Sequence, residues 1–166
     1  WEKDRRYLAA PDIAADYEAY DELMDLSRFS LAGDHVRHNA FLVYRALRRL
    51  VPAVPDEEIL AALNTFPGSD RRFEKLAENL YSDYGHHPAE IAATLQLARE
   101  ISDHVVLVYQ PHQNVRQHEI KDTYRNCMEQ AEKVYWLPTY LSREDPNLPI
   151  LQPEELIRGL TNAPAV

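Results

Sequence analysis

Residues 82–90 read Ser-Asp-Tyr-Gly-His-His-Pro-Ala-Glu, and this stretch joins a strand pattern to a helix pattern. The apolar run at 79–84 is typical of a strand, and Pro88–Ile101 repeats apolar residues at the spacing of one helix face. In open α/β sheets, ligands bind beyond the carboxyl ends of the strands, where such turns lie. Four side chains of the turn are therefore predicted to line a site: Asp83, Tyr84, His86 and His87.

The composition is that of a globular protein with an acidic balance. Its 166 residues suffice for one domain, or for a small domain with part of another. With 18 basic and 27 acidic residues the net charge is −9, which disfavours binding to nucleic acid or to a membrane surface. No apolar run approaches about 20 residues and no signal peptide is visible, so we expect a soluble, cytoplasmic protein. The start at Trp1 rather than Met leads us to expect a piece of a longer chain.

The first 66 residues are predicted to be helical. Residues 1–30 carry Ile13, Tyr17, Tyr20 and Met24 at helical spacing, and no function is assigned to them. One helix is expected over 39–50 and another from Pro55, because proline followed by carboxylates suits a first turn. The predicted buried side chains are Val43, Leu47 and Leu50 on the first helix and Ile59, Leu63 and Phe66 on the second.

The remaining residues alternate strand and helix patterns after a linker at 67–70, so the predicted domains are 1–66 and 67–166. The predicted elements are strands at 71–76 and 79–84, a helix from Pro88, a strand at 104–110, a helix at 116–132, a strand at 134–140 and a short helix from Pro153. The continuous apolar run at 105–108 is typical of a central parallel strand buried on both faces. This order predicts an α/β fold with a parallel sheet, right-handed crossovers and flanking helices.

A second polar cluster follows the most apolar strand. Residues 110–116 read Gln-Pro-His-Gln-Asn-Val-Arg and hold the same place, after a strand and before a helix, as the first cluster. If the two strands are neighbours, both clusters open onto one crevice. Arg71 and Arg72 allow two interpretations: a solvated strand edge with Glu74 as partner, or guanidinium groups presented to phosphate.

Metal and nucleophile chemistry is disfavoured. Seven histidines are present, but there is no HExxH, no CxxC and no compact His/Asp spacing, so no metal site is assigned. Cys127 is interpreted as a buried structural thiol rather than a nucleophile. Asp83 and His86 could form an acid–base pair, although no serine or cysteine elbow accompanies them. The chain also lacks GxxxxGK[ST] and GxGxxG, so another domain would have to cradle the terminal phosphates of a nucleotide.

Four segments in order resemble the Mur ligase family. Residues 82–90 are similar to Asp-Asp-Tyr-Gly-His-His-Pro-Thr-Glu, and 109–116 to Phe-Gln-Pro-His-Arg-Tyr-Thr-Arg. Residues 66–74 resemble the linker and the Arg-Arg-Phe-Glu signature, and 33–40 resemble Gly-x-His-Asn-x-x-Asn-Ala. The resemblance implies a Rossmann-like C-terminal domain with a mostly parallel sheet and flanking helices, preceded by a helical segment of the central ATP-binding domain.

The resemblance also implies ATP-dependent amide formation in peptidoglycan synthesis. In that chemistry a muramate carboxylate takes the γ-phosphoryl group, and an amine attacks the acyl phosphate. The paired histidines and Gln-Pro-His are most similar to members that join L-alanine to UDP-N-acetylmuramate. A ligase that attaches a recycled tripeptide is the alternative. ATP is the implied cofactor, with Mg²⁺ bound mainly by the missing central domain.

The family's functional residues carry over to matching positions. The resemblance places Arg72 near the phosphates, Asp83 near the ribose, and His35 and Asn39 near the adenine. On the substrate side it places Tyr84, His86, His87, His112 and Arg116, with Arg72 and His86 as catalytic candidates. Val36 stands where the central motif has asparagine. Gln113 stands where the family has arginine, which implies either altered amino-acid choice or a site in which Arg116 acts alone.

Three hypotheses follow from the sequence. The favoured one is a ligase piece that needs the N-terminal and central domains of the same protein and is inactive in isolation. The second is a non-catalytic α/β module that binds a nucleotide or a partner. The third is a metal-dependent hydrolase that uses the histidines.

Overall fold

The computed structural model describes residues 25–162 and 164–166 of the chain. The helix expected around Ile13, Tyr17, Tyr20 and Met24 lies outside the described residues. The chain divides into two compact units. The first takes its described residues from 25–31 and 37–65, and the second from 32–36 and from 66 onward. Assignment of the units to a central and a C-terminal ligase domain stays a prediction.

The described residues of the first unit contain two α-helices, as predicted, and a short 3₁₀ helix at Leu26–Arg28. Helix α1 spans Asp34–Leu50, five residues longer at its start than expected, and its first three residues belong to the second unit. Helix α2 spans Asp56–Asn64 and begins after Pro55, with three carboxylates in its first turn. Carboxylates there interact favourably with the unpaired N–H groups of a helix start.

The buried face of α1 differs from the predicted one. Val43 and Leu50 are 46% and 76% exposed, whereas Ala40, Phe41 and Tyr44 are buried. The reason is the ring of Phe29, which lies 6.4 Å from both Phe41 and Tyr44 in edge-to-face geometry. Aromatic pairs in this geometry stabilise the fold by more than their buried area alone, so the face of α1 that carries Phe41 and Tyr44 is the buried one. On α2, Ile59 is buried as predicted, but Phe66 is 57% exposed and lies beyond the helix.

A polar cluster joins the two helices of the first unit. The Tyr44 hydroxyl donates to Asp56 Oδ2 at 2.6 Å, and Arg48 Nε lies 2.9 Å from Asp56 Oδ1. The Arg28 guanidinium lies 5.1 Å from the centre of the Tyr44 ring. The hydrogen bond from Tyr44, followed by the charges of Arg48 and Arg28, holds the pKa of Asp56 below its ordinary value.

The second unit contains a hairpin and a parallel strand pair. Strands β1 (Glu74–Ala77) and β2 (Leu80–Ser82) pair antiparallel as a hairpin and are shorter than the strands predicted at 71–76 and 79–84. Helix α3 spans Pro88–Ile101, with the predicted bounds. Strands β3 (Val106–Tyr109) and β4 (Lys133–Trp136) pair in parallel, from Val106 opposite Lys133 to Tyr109 opposite Trp136. Helices α4 (Asn114–Ile120) and α5 (Pro153–Leu156) follow β3 and β4.

The strand β3 is covered on one face only. Val106 and Val108 are 59% and 62% exposed, so the prediction of a strand buried on both faces is wrong. Among the described residues, the elements that share a core with this sheet pack on the side of Tyr109 and Trp136. Strand β4 is also shorter than predicted, and Pro138 beyond it has no N–H to donate to a ladder.

The helix predicted over 116–132 is shorter and begins earlier. Helix α4 ends at Ile120 and passes into a 3₁₀ turn over Lys121–Thr123. Asn126 has a φ of 60°, a left-handed conformation that an α-helix does not contain. The irregular turn places Tyr124 and Met128 in the core, where both are 0% exposed.

Residues 32–36 dock on α3 through Gly33. Its N–H donates to Glu100 Oε2 at 3.0 Å, and the N–H of Asp34 donates to Gln96 Oε1 at 2.9 Å. Gly33 has a φ of 87°, and a Cβ on it would lie 2.8 Å from atoms of Leu97. Only glycine combines this conformation with so close an approach.

Gly33→Ala is expected to lower the free energy of unfolding by about 1–3 kcal/mol, because the methyl group overpacks against Leu97 in addition to the backbone strain. Gly68→Ala is the matched control: Gly68 also has a left-handed φ, 92°, but a Cβ on it would meet nothing within 4 Å. Urea denaturation followed by fluorescence of the buried Trp136, in a Trp1→Phe background, measures both. Equal losses in the two variants would show that close packing at Gly33 contributes nothing.

Candidate functional site

The turn between β2 and α3 is built around the carboxylate of Asp83. Its oxygens accept hydrogen bonds from the N–H of Phe73 at 2.8 Å, the N–H of Gly85 at 2.6 Å and the hydroxyl of Thr94 at 3.2 Å. A Cβ on Gly85 would lie 2.7 Å from Asp83 Oδ1, so glycine permits this closure. Asp83 therefore holds the turn against both the hairpin and α3 while remaining exposed.

The two adjacent histidines have different roles in the structure. His87 caps α3, since its Nδ1 accepts the N–H of Ala89 at 3.2 Å. This bond requires an unprotonated Nδ1, so the ring proton lies on Nε2. His86 is half-buried, and its Nδ1 lies 3.1 Å from the carbonyl oxygen of Tyr84 and 3.6 Å from Glu90 Oε2.

Glu90 completes the cap of α3. Its Oε2 accepts the N–H of His86 at 3.0 Å and that of His87 at 3.2 Å. Burial opposes ionisation of this carboxyl, but the two N–H groups and the charges of His86 and Arg72 prevail and lower its pKa. The carboxylate thus fixes the backbone of both histidines.

A cationic group gathers on the ring of Tyr84. The guanidinium carbons of Arg71 and Arg72 lie 4.6 and 5.7 Å from the ring centre, and the ring of His86 meets it edge-to-face at 5.4 Å. Both arginines are exposed. The structure therefore brings together three predicted site residues, Arg72, Tyr84 and His86, in a group suited to an anion.

The second polar loop follows β3 and is held by Tyr140. The N–H of Gln113 donates to the Tyr140 carbonyl at 2.9 Å, and the N–H of Tyr140 donates to the Pro111 carbonyl at 2.8 Å. The His112 ring stacks on the Tyr140 ring at 5.4 Å, and its buried Nδ1 has no hydrogen-bond partner among the described residues. Gln113 has a φ of 64°, which turns the chain into α4.

Glu144 supports the same loop. It accepts the N–H of Ser142 at 2.7 Å and that of Val115 at 3.2 Å. Burial opposes its ionisation, but these N–H groups and the charge of His112 lower its pKa.

Arg116 is a half-buried residue in the first turn of α4. Within the described part of the chain, its side chain has neither a hydrogen bond nor an ion pair with another residue. Because guanidinium groups pair well with carboxylates, Arg116 is a candidate for binding an anion, and its role in substrate binding stays a prediction.

The two loops are joined through a side chain rather than a sheet ladder. Strands β2 and β3 do not pair, and a groove of about 600 Å³ lies between the hairpin, α3 and β3. Asp83 and Thr94 line one side of this groove, and Tyr109 lines another. The Tyr109 hydroxyl contacts the carbonyl oxygen of His86 at 3.3 Å, which links the end of β3 to the first turn.

His35 and Asn39 lie apart from this arrangement in the chain. Both are on α1, where His35 is half-buried and belongs to the second unit and Asn39 is exposed and belongs to the first. Their adenine role stays a prediction. So do the roles of the other predicted site residues, Arg72, Asp83, Tyr84, His86, His87, His112 and Arg116.

Three observations bear on the remaining interpretations. Burial raises the pKa of the Cys127 thiol to about 11, so it is protonated at neutral pH, in keeping with a structural thiol. In the described ranges, no three side chains of His, Cys, Asp or Glu cluster as metal ligands. None of the described helices combines the length and apolar character that a membrane crossing needs.

Some residues that shape the site were not predicted from the sequence. The cap formed by His87 and Glu90 has a sequence signal, because acceptors three residues apart at a helix start form a capping box. Tyr109, Gln117 and Tyr124 meet in the core through hydrogen bonds that no local pattern indicates.

Comparisons with known proteins give relatives over most of the chain. No protein-family model matches it. A UDP-N-acetylmuramate–L-alanine ligase of Cereibacter sphaeroides is 34% identical over 158 residues, covering 92% of this chain and 33% of that protein. One from a Jannaschia species is 38% identical over 147 residues, covering 86% and 30%. The chain thus spans about a third of the length of these relatives.

Solved structures show the same fold class. The UDP-N-acetylmuramate–alanine ligase of Thermotoga maritima matches with a TM-score of 0.54 and 28% identity, covering 68% of this chain and 26% of that one. The folylpolyglutamate synthase of Mycobacterium tuberculosis matches with a TM-score of 0.53 and 17% identity, covering 82% and 32%. The second match supports the fold alone. Together they confirm the predicted α/β, Rossmann-like class.

Glu90 is expected to make stability depend on pH. Because its folded pKa is lowered, its contribution is present above the unfolded pKa, about 4.3, and is lost as pH falls through the folded pKa. Glu90→Gln keeps an acceptor but removes the titration. Urea midpoints measured from about pH 5.5 down to about pH 3 should fall less in this variant than in the wild type. The exposed Glu119→Gln is the control, and a Glu90→Gln profile parallel to it and to the wild type would refute the assignment.

Proposed function

The chain belongs to the Mur ligase family, and we propose that it supplies the ATP-facing and amino-acid-facing part of a UDP-N-acetylmuramate–L-alanine ligase. One observation carries the proposal: two cationic groups stand at the ends of successive strands. Arg71 and Arg72 on Tyr84 form the first, and the half-buried Arg116 forms the second. One suits phosphate and the other suits a carboxylate.

ATP would supply the phosphoryl group that converts the muramate carboxylate into an acyl phosphate. The exposed guanidinium groups over Tyr84 fit its phosphates, because planar forks pair with phosphate oxygens. Asp83 has room for one hydrogen bond from a ribose hydroxyl. A carboxylate has about four acceptor sites, and three donors already contact this one. An exposed acceptor remains for the ribose.

In this proposal Mg²⁺ is bound outside the described residues. No cluster of possible metal ligands occurs in the described residues, and the sequence has no phosphate loop. Mg²⁺ and the terminal phosphates would therefore be held mainly by the missing central domain of the same protein. The chain alone would be inactive, and the complete protein would act in the cytoplasm on precursors of peptidoglycan.

The second loop would orient the amino acid. Arg116 would hold the carboxylate of L-alanine so that its amine faces the acyl phosphate, and positioning of this kind lowers the barrier to amide formation. His112 presents its ring nearby, stacked on Tyr140. His86, beside the cationic group on Tyr84, would face the substrate and the developing charge, and His87 would keep the cap of α3 in place.

The proposed amino-acid site has one cationic side chain fewer than the family motif. Gln113 replaces an arginine of that motif and lies in the turn that leads into α4. The runner-up is a ligase that attaches a recycled tripeptide. The two ligases differ in the substrate that they join to UDP-N-acetylmuramate, L-alanine or the tripeptide.

A chimera tests the proposed function. The matched third of the Jannaschia ligase is replaced by this chain, and phosphate release is measured with ATP, UDP-N-acetylmuramate and either L-alanine or the tripeptide. We expect turnover with L-alanine, and none from the isolated chain. Turnover with the tripeptide alone would favour the runner-up. A folded chimera inactive with both, beside an active parent, would contradict the ligase assignment.

Within that chimera, Arg116→Gln should raise KM for the amino acid roughly tenfold to hundredfold, since it removes a charge-assisted hydrogen bond. KM for ATP should change little. Arg158→Gln, at an exposed arginine near the end of the chain, is the matched control. Equal effects of Arg116→Gln on both KM values would argue against a specific carboxylate contact.

A further inference from the structure

A buried series of polar contacts runs between the two polar loops. The Tyr109 hydroxyl lies 3.3 Å from the His86 carbonyl and 2.9 Å from the Tyr124 hydroxyl. Tyr124 donates to Gln117 Oε1 at 2.7 Å, and Gln117 Nε2 donates to the His112 carbonyl at 3.1 Å. The two ends of the series are thus backbone atoms of the two histidine loops.

The side chains of this network have little freedom. Tyr124 and Gln117 are 0% exposed and Tyr109 is 5% exposed. Both phenol rings also meet the buried Trp136 edge-to-face, at 4.9 and 5.1 Å. Burial raises the pKa of Tyr124 to about 12, and burial with the neighbouring Tyr124 raises that of Tyr109, so both hydroxyls remain protonated donors.

The hydrogens of the network can be counted. Gln117 uses its amide N–H toward His112, so its oxygen must accept from Tyr124. Tyr124 has one hydroxyl hydrogen and spends it there. The single hydrogen of Tyr109 is therefore shared between two acceptors, the Tyr124 hydroxyl oxygen and the His86 carbonyl oxygen. Tyr109 is therefore the junction at which the core network meets the first turn.

We infer that Tyr109, Tyr124 and Gln117 form a positioning network that sets the backbone of His86 relative to that of His112. This inference rests on the proposed function, since these loops are the two walls of the proposed site. The network residues would touch no substrate and would act through the two histidine loops.

Tyr109→Phe is the sharpest variant. It keeps the ring on Trp136 and removes only the hydroxyl, so the chain should fold. Gln117→Leu removes the far end of the network. Tyr135→Phe is the matched control, because Tyr135 lies on the neighbouring strand β4 and is 37% exposed.

Amide hydrogen exchange of the 166-residue chain gives the first test. Loss of one hydrogen bond should speed exchange at residues 85–87 about threefold to tenfold in Tyr109→Phe. Gln117→Leu should not speed exchange there, because Tyr124 can then donate to Tyr109 and the Tyr109 hydrogen goes to His86; in the double variant, exchange at 85–87 should equal that of Tyr109→Phe alone. Unchanged exchange in Tyr109→Phe, faster exchange at 85–87 in Gln117→Leu, or an equal effect of Tyr135→Phe would each overturn the inference.

Kinetics of the chimera give the second test. A loss of alignment between the walls should lower kcat about threefold to tenfold in Tyr109→Phe, while KM for ATP and for the amino acid stays within about twofold. Unchanged kcat would overturn the positioning role. If the wild-type chimera is inactive, the proposed function fails, and the exchange experiment still decides whether the network couples the loops.

Discussion

The packing of Tyr109 and Tyr124 around Trp136 is the contact on which the second unit depends. Trp136 is 1% exposed, and the two phenol rings meet it edge-to-face at 4.9 and 5.1 Å. Tyr109 ends β3, Trp136 ends β4, and Tyr124 comes from the irregular turn after α4. Two parallel strands and a turn are therefore joined by one aromatic cluster. Since this core also contains side chains of α3 and α5, its geometry determines where both polar loops emerge.

The polar residues of the first turn divide into two groups. Asp83, His87 and Glu90 spend their acceptors on backbone N–H groups and so build the turn and the helix cap. Tyr84 and His86 carry their rings outward into the cationic group with the arginines. An ordinary strand-to-helix turn needs only the first group. The proposed ligase site uses the second group together with the remaining acceptor of Asp83, so the turn has more polar residues than its geometry requires.

Sequence patterns within a short segment predict the helices and strands whose ends are marked by residues of that same segment. The bounds of α3 were correct because Pro88 and the apolar spacing that ends at Ile101 mark this helix in the sequence. The errors concern burial and continuation. Val43 is exposed, although the helical spacing predicts it to be buried, because the face of α1 that packs on Phe29 is a different one. Val106 and Val108 are also exposed, because the sheet is covered on one face and not on both. Apolar periodicity indicates that a helix or strand has an apolar face, but the residues that cover this face are distant in the sequence.

The sequence by itself determined the resemblance to the Mur ligases, the α/β class and the two histidine-containing loops, because these depend on short motifs and on the order of elements. Only the tertiary structure decided how the loops are connected. Strands β2 and β3 do not pair, and the loops are joined instead by hydrogen bonds among Tyr109, Tyr124 and Gln117. These side chains are up to 15 residues apart, and burial makes their hydroxyl and amide groups seek partners. Such pairing follows from the packed core, which no local stretch of the sequence contains.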